Sequence, residues 1–329
     1  MISNKSFRSS AAKTRLLVCP LIIAALLTCA SPAHSQEKDP IDVVKVNTDL
    51  VVFDVQVIDK KTGRVVGDLK KEDFELSDNG VKQQISYFSR DELPLSIILL
   101  LDVSGSVRSI IHDIRDGALN ALQRLKPDDQ VAVMAFSERI LLAQDFTKDR
   151  AAVSRKIEEV TATSVLGSGT FLGAAMEDAA FHMQTAPTPT SRRVIIVITD
   201  NIAPSIAAQQ RSALSDLFES GTVVYGLIVR GAIGKVFNVL SFGQIKAVNK
   251  YVEETGGEVL GADKKEVDAK LSEVIDRLRA RYAIGFRPSN STDDGKFRPV
   301  AIKISPAIKR KEKPIVLTKR GYYLRRRKD

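Results

Sequence analysis

The sequence predicts a doubly wound α/β domain with a mostly parallel sheet, inserted into a smaller β-sandwich-like domain formed by both flanks. Three observations carry this. Between Leu95 and Arg281, nearly continuous apolar runs alternate with helical stretches, which is how strands buried on both faces read. Over roughly 41–92, and again after Arg281, the apolar residues recur at every second position, as in half-buried strands. Each flank alone has about three strands, too few for a covered core, so the two are expected to pair.

Ahead of the first flank, residues 1–35 read as a cleavable export leader. Lys5, Arg8, Lys13 and Arg15 form a basic start, an apolar run follows from Leu16 to Leu27, and Ala33 and Ser35 supply a small-x-small site before Gln36. The run is shorter than the ~20 apolar residues of a membrane span and is interrupted by Pro20. Lipid attachment at Cys29, after Leu26, Leu27 and Thr28, is the lesser alternative, because Thr is unusual at that place. The chain's two cysteines, Cys19 and Cys29, both lie in this leader. A processed chain starting at Gln36 is therefore held by its core, with no disulfide. A hydrophobic content of 44% is enough for that. Four of the 49 Lys and Arg and none of the 40 Asp and Glu lie in the leader, so the charge of +9 falls to +5. The basic stretches Lys309 to Lys313 and Arg325 to Lys328 read as solvated tails, since no aromatic residues interleave with them as a single-strand binder requires.

In the N-terminal β segment, 36–93, Val51, Phe53, Val55 and Val57 share one face, and Asp59 to Gly63 makes a turn. Phe74 and Leu76 lead into Asp78-Asn79-Gly80, a hairpin turn because Asn and Gly tolerate positive φ. Ile85 and Tyr87 are expected to continue the return strand. In the central domain, 94–281, the buried strands are Leu95 to Leu101, Val131 to Phe136, Val194 to Ile198 and Val223 to Val229. A helix with Val107, Ile110, Ile111, Ile114, Ala118, Leu122 and Leu125 on one stripe stops at Pro127. Further helices fit Phe171 to Met183, Ser205 to Glu219, Ile245 to Glu254 and Lys265 to Arg279, with a short strand at Glu258 to Leu260. In the C-terminal β segment, 282–329, strands fit Tyr282 to Phe286, Val300 to Ile304, Ile315 to Leu317 and Tyr322 to Leu324, and Ser289 to Gly295 is a turn cluster.

The chemistry gathers at one edge. The first buried strand ends in Asp102-Val103-Ser104-Gly105-Ser106, and a helix begins directly after it. Ligands of open α/β sheets sit at the carboxyl ends of the parallel strands. The Val194 to Ile198 strand ends at that edge in Thr199-Asp200, and Gly167-Ser168-Gly169-Thr170 opens the helix from Phe171. Each of these residues taken singly is accounted for as a helix cap or strand end; their joint placement points to an oxygen-lined site.

D-x-S-x-S after the first strand, a G-x-G-T turn and a later strand ending in T-D resemble the metal-ion-dependent adhesion site of von Willebrand factor A domains, over roughly residues 94–281. The flanks resemble exported bacterial proteins carrying such domains, in Leu69-Lys-Lys-Glu-Asp-Phe-Glu-Leu with Asp78-Asn79-Gly80, in Arg281-Tyr-Ala-Ile-Gly-Phe and in Arg320-Gly-Tyr-Tyr. Asn201 stands where many such domains have Gly, and Asn tolerates the left-handed conformation comparatively well. The resemblance implies a metal site of Asp102, Ser104, Ser106, Thr170 and Asp200. It implies Mg²⁺ or Mn²⁺ as the ion and an Asp or Glu carboxylate of a protein partner as the group bound. A hard cation that wants about six oxygens suits two carboxylates and three hydroxyls.

Catalysis finds less support. Ser104 lacks the G-x-S-x-G elbow, position 172 is Leu where a dinucleotide fingerprint needs Gly, and the processed chain has only His112 and His182, both expected on helix surfaces. The sequence thus predicts an exported, periplasmic or secreted, adhesion-type binding module that is not an enzyme. Metal-assisted hydrolysis at Asp102 and Asp200 stands as one alternative, and a structural envelope subunit with a vestigial site as another. N-terminal sequencing of the protein recovered from its native envelope should begin at Gln36; a chain still starting at Met1 would refute the leader, and a diacylglycerol adduct on Cys29 would make it a lipoprotein.

Overall fold

The computed structural model describes residues 50–90, 93–188, 191–204, 206–230, 247–290, 292, 294–306 and 313–323. The expected leader and most of the two basic stretches lie outside these residues.

The first flank forms β1 (Val51–Asp59), β2 (Phe74–Asp78), β3 (Val81–Gln83) and β4 (Ile85–Ser89). The second forms β11 (Tyr282–Phe286), β12 (Phe297–Ile304), β13 (Pro314–Leu317) and β14 (Gly321–Tyr323). They pair strand to strand into two four-stranded sheets, β13-β1-β11-β4 and β14-β12-β2-β3, each of which mixes both flanks. Val51 to Val55 lie antiparallel to Phe286 to Tyr282, and Phe74 to Asp78 run against Ile304 to Val300. Between the sheets sit Phe53, Val55 and Val57 with Phe74, Leu76, Ile284 and Phe286. Phe53 meets Phe286 and Tyr322 at ring-centroid distances of 6.2 Å, within the range of favourable aromatic pairs.

One expectation is corrected. Asn79 (φ 48°) and Gly80 (φ 81°) make the tight hairpin, but its return strand stops at Gln83. Ile85–Ser89 crosses to the other sheet and pairs with β11. Both sheets face the same core, so Ile85 is buried on either path. Alternation along the sequence is identical in the two cases and cannot separate them.

The central domain contains β5 (Leu95–Asp102), β6 (Gln130–Phe136), β7 (Ile140–Thr147), β8 (Arg192–Thr199), β9 (Val223–Val229) and β10 (Val259–Ala262). Their order is β10-β9-β8-β5-β6-β7, parallel throughout except for the β6–β7 pair. The helices are α1 (Ile111–Leu122), α2 (Arg150–Ala162), α3 (Leu172–Met183), α4 (Ala207–Ser220), α5 (Ala247–Thr255) and α6 (Val267–Arg279). Alternation along β5 divides the core: Ile97, Leu99 and Leu101 pack with α1, α2 and α6. Ile98 and Leu100 pack with α3, α4 and α5. This is the doubly wound arrangement with helices on both faces. The edge strand β7 and helix α2 lie outside the sequence expectations; Asp149 caps α2 by accepting the Ala152 N–H at 3.0 Å.

The two parts meet at the amino-terminal edge of the parallel sheet. Asp54 of β1 pairs with Arg192 at the start of β8 (2.9 Å) and with Arg281 just before β11 (2.7 Å). Arg281 is 1% exposed. It also donates to Gln56 Oε1, the Tyr225 hydroxyl and the Gly256 carbonyl. Arg192 donates to the carbonyls of Leu278 and Arg281. Removing one member of a buried ion pair strands the other's charge, at a cost of roughly 3–5 kcal/mol. Asp54→Ala should therefore lower the unfolding free energy by about that much in urea titrations. An unchanged midpoint would show that the joint is not a stabilising element.

Candidate functional site

At the opposite, carboxyl edge of the sheet, β5 and β8 deliver their last residues side by side. Asp102 is fully buried, as are Ser104 and Thr199, and Asp200 is 7% exposed. Asp102 Oδ1 accepts the Ser104 N–H (2.9 Å), and Oδ2 accepts the Thr199 hydroxyl (2.6 Å). The hydroxyls of Ser104 and Ser106 lie 3.2 Å apart. Ser104 bonds to Asp102, and Ser106 to Asp200. Four of the five expected residues thus form one continuous chain of oxygens running from Asp102 through Ser104 and Ser106 to Asp200.

Ser104 holds the cap position of the 3-10 turn Gly105–Ile110 that leads into α1, yet its side chain makes no capping bond there. Its hydroxyl is directed to the oxygen cluster instead. Asn201 adopts φ 61°, as its tolerance of left-handed backbone allows. It has a second task, since its Oδ1 accepts the Val248 N–H of α5 at 3.1 Å.

Thr170, half-buried, sits on the neighbouring loop. That loop docks on the first one through Gly105 N–H to the Ser168 carbonyl (2.9 Å), and Ser137 Oγ donates to the Gly169 carbonyl (2.9 Å). A residue absent from the sequence expectations, Glu138, organises it. Its Oε1 accepts the N–H groups of Ser168 (3.2 Å) and Gly169 (3.0 Å), which hold its carboxyl below the usual range. Gly167, at φ +95°, and Gly169 wrap so closely that an added Cβ would meet Glu138 at 2.6 and 2.9 Å. In the sequence Ser137-Glu138 directly follow β6, at the same sheet edge as Asp102 and Asp200, but no pattern marks Glu138 as the holder of this loop. Thr199, read from the sequence as part of the strand end but not as a site residue, orients Asp102 from the adjacent strand by donating to its Oδ2.

The electrostatics are those of a site short of positive charge. Burial raises the Asp102 carboxyl to about 6, with the Asp200 charge adding to it, while bonds from Ser104 and Thr199 oppose. Burial also raises Asp200. Among the described residues no three His, Cys, Asp or Glu side chains gather to hold a metal. The donor set here is instead two carboxylates with neutral hydroxyls, all hard oxygens. That set fits a divalent cation of the Mg²⁺ type. His112 is exposed; His182 stacks on Phe146 (5.5 Å) and pairs with Asp145 (2.9 Å).

An open, doubly wound sheet with an oxygen-lined crevice at its carboxyl edge defines the class of the central domain. Residues 97–203, within the central domain, match the family model of the von Willebrand factor type A domain. An uncharacterized protein from Synechocystis sp. is 34% identical over 73 residues, which are 21% of this chain and 17% of that relative's length. Among solved structures, an aerotolerance-related membrane protein from Bacteroides fragilis is 18% identical, covering 56% of this chain and 98% of its own, with a TM-score of 0.45. A von Willebrand factor type A protein from Catenulispora acidiphila is 13% identical over 71% and 70% of the two chains, TM-score 0.45. Proximal thread matrix protein 1 of the mussel byssus, in a form with a zinc-occupied metal-ion-dependent adhesion site, is 16% identical over 57% and 48%, TM-score 0.45.

The loop arrangement yields a direct expectation. Glu138→Ala should speed amide hydrogen exchange at Ser168 and Gly169 while the global unfolding midpoint stays in place. Unchanged exchange at both amides would mean that Glu138 does not hold the loop.

Proposed function

We propose that this chain is an exported, metal-dependent protein-binding module, in which Asp102, Ser104, Ser106, Thr170 and Asp200 hold Mg²⁺ or Mn²⁺. The bound ion supplies an exposed positive charge that takes an Asp or Glu carboxylate of the partner. The observation that carries this reading is the Asp102–Ser104–Ser106–Asp200 chain of oxygens at the ligand edge of the sheet, buried except at half-buried Ser106. Two carboxylates facing the same small space repel one another; a divalent cation relieves that repulsion, and where a carboxylate acts through water the ion keeps much of its positive charge. Neutral hydroxyls bring oxygen without cancelling that charge, so a carboxylate is preferred over a neutral amide, and a Lys or Arg is repelled. A von Willebrand factor type A domain is a protein-interaction module, and no described helix is long and apolar enough to cross a membrane. The first of these facts supports a binding role, and the leader read from the sequence supports export.

The metal is tested first without any partner. Adding Mg²⁺ or Mn²⁺ at about 100 times its Kd should stabilise the wild type by roughly 2.7 kcal/mol. Asp102→Ala should show no such shift; equal shifts in both proteins would place the ion elsewhere. For the partner, capture from the native envelope should be lost with chelator and restored by Mg²⁺ or Mn²⁺. Calorimetry of the purified partner should then show no binding to Asp102→Ala and weakened binding to Thr170→Ala, with both variants folded. Unchanged affinity in Asp102→Ala would mean that the partner docks away from the metal.

A further inference from the structure

A cleft of about 460 Å³ opens where the outer face of the β13-β1-β11-β4 sheet meets the amino-terminal edge of the parallel sheet, far from the oxygen cluster. Small-molecule sites are typically ~300–1,000 Å³ and concentrate at such junctions. Its two ends differ in chemistry. At one end Leu50, Val52 and Tyr87 converge over Gly285, where an added Cβ would lie 3.1 to 3.3 Å from all three. Val52 and Tyr87 are each 40% exposed, so this apolar shelf faces the open cleft.

The other end is cationic. Arg192, Arg193 and Lys319 line it, with Asp54 as the carboxylate among them. That carboxylate is already shared between Arg192 and Arg281. Arg193, half-buried, donates to the Ser220 carbonyl at 3.2 Å and forms no ion pair with a described residue. The Lys319 ammonium lies 4.9 Å from the Phe53 ring centroid, and no hydrogen bond or ion pair joins it to a described residue. Burial lowers its amine to about 8 against the opposing pull of Asp54. Cations that are partly desolvated and unmatched are costly, and a bound anion relieves that cost.

We propose that this cleft binds an organic anion with a hydrocarbon body, its carboxylate or phosphate head set against Arg193 and Lys319 and its chain lying on the Leu50–Val52–Tyr87 shelf. The site is independent of the metal: it uses the opposite edge of the sheet and none of the same residues. Both binding elements are needed, because the shelf alone does not distinguish charge and the two cations alone do not distinguish an amphiphile from chloride.

Octanoate and octyl phosphate, titrated calorimetrically into the full chain, test this beside octanol and octylamine as the matched neutral and cationic probes. One-to-one saturable binding of the anions is expected, with octanol at least about tenfold weaker, a difference of ~1.4 kcal/mol. The double variant Arg193→Met/Lys319→Met, which keeps the apolar stems, should lose the anions by tenfold or more. A second reading needs no variant: acetylation of Lys319 by an N-hydroxysuccinimide ester, followed by mass spectrometry, should slow when octanoate is present. Octanol binding as well as octanoate, or octanoate affinity and Lys319 acetylation that both stay unchanged, would overturn the proposal. Sedimentation with phosphatidylglycerol vesicles without octanoate or octyl phosphate binding would also overturn it, in favour of contact with a membrane surface.

Discussion

The architecture depends on a single carboxylate with two guanidinium groups on it. Asp54 belongs to the first flank, Arg192 to the heart of the parallel sheet and Arg281 to the point where the chain leaves that sheet. A domain inserted in another must be held at both of its crossings, and this triad ties them together. The Arg192 N–H also bonds to the Pro94 carbonyl at the entry crossing. Burying three charges is expensive unless every polar atom is engaged. The terminal Arg281 nitrogens reach Gln56, Tyr225 and the carbonyls of Asp54 and Gly256, which fixes the guanidinium's orientation, while Nε meets Asp54 Oδ2 as an ion pair and Gln56 Nε2 makes no hydrogen bond among the described residues. An apolar joint would bury comparable surface without setting that orientation.

The same logic, inverted, describes the opposite edge. There two carboxylates are brought together with hydroxyls and no guanidinium. One sheet thus carries one edge where carboxylate and guanidinium groups meet and an opposite edge where two carboxylates lie among hydroxyls. The rigidity of the first serves the second. Because β5 and β8 are locked in register from Leu95–Arg192 to Leu101–Ile198, the placement of Asp102 beside Thr199 follows from the strand pairing, not from loop conformation.

The fold was legible wherever burial was two-sided. Continuous apolar runs located β5, β6, β8 and β9 because they are short, alternate with helical stretches and suit strands covered on both faces. β7 escaped because an edge strand is wetted on one side, with Leu141 and Leu142 left 39% and 42% exposed, and its pattern is neither alternating nor continuous. α2 escaped although Asp149 is a good cap, because Val153, Ile157 and Val160 are a sparse stripe among charged residues. At the site, Asp102, Ser104, Ser106 and Asp200 could be placed from strand ends and spacing. Glu138 could not, because its role is to accept backbone N–H groups from a loop 30 residues away, a relation with no periodic or compositional trace. Asn201 was read as a tolerated conformation; its bond to α5 needed the tertiary structure to be seen.

The split β domain also sets a schedule. Asp54 and Arg281 are 227 residues apart in the chain. At the ~5–20 residues per second of synthesis, the ribosome needs on the order of ten to fifty seconds to travel between them. For that interval β1 and β2 exist with apolar faces and no opposite strands, whereas the parallel sheet can begin closing from its own neighbouring segments. The sandwich is therefore the last part of the molecule to become possible, although it contains some of the first residues made. Its closure reports that β11 to β14 have been made.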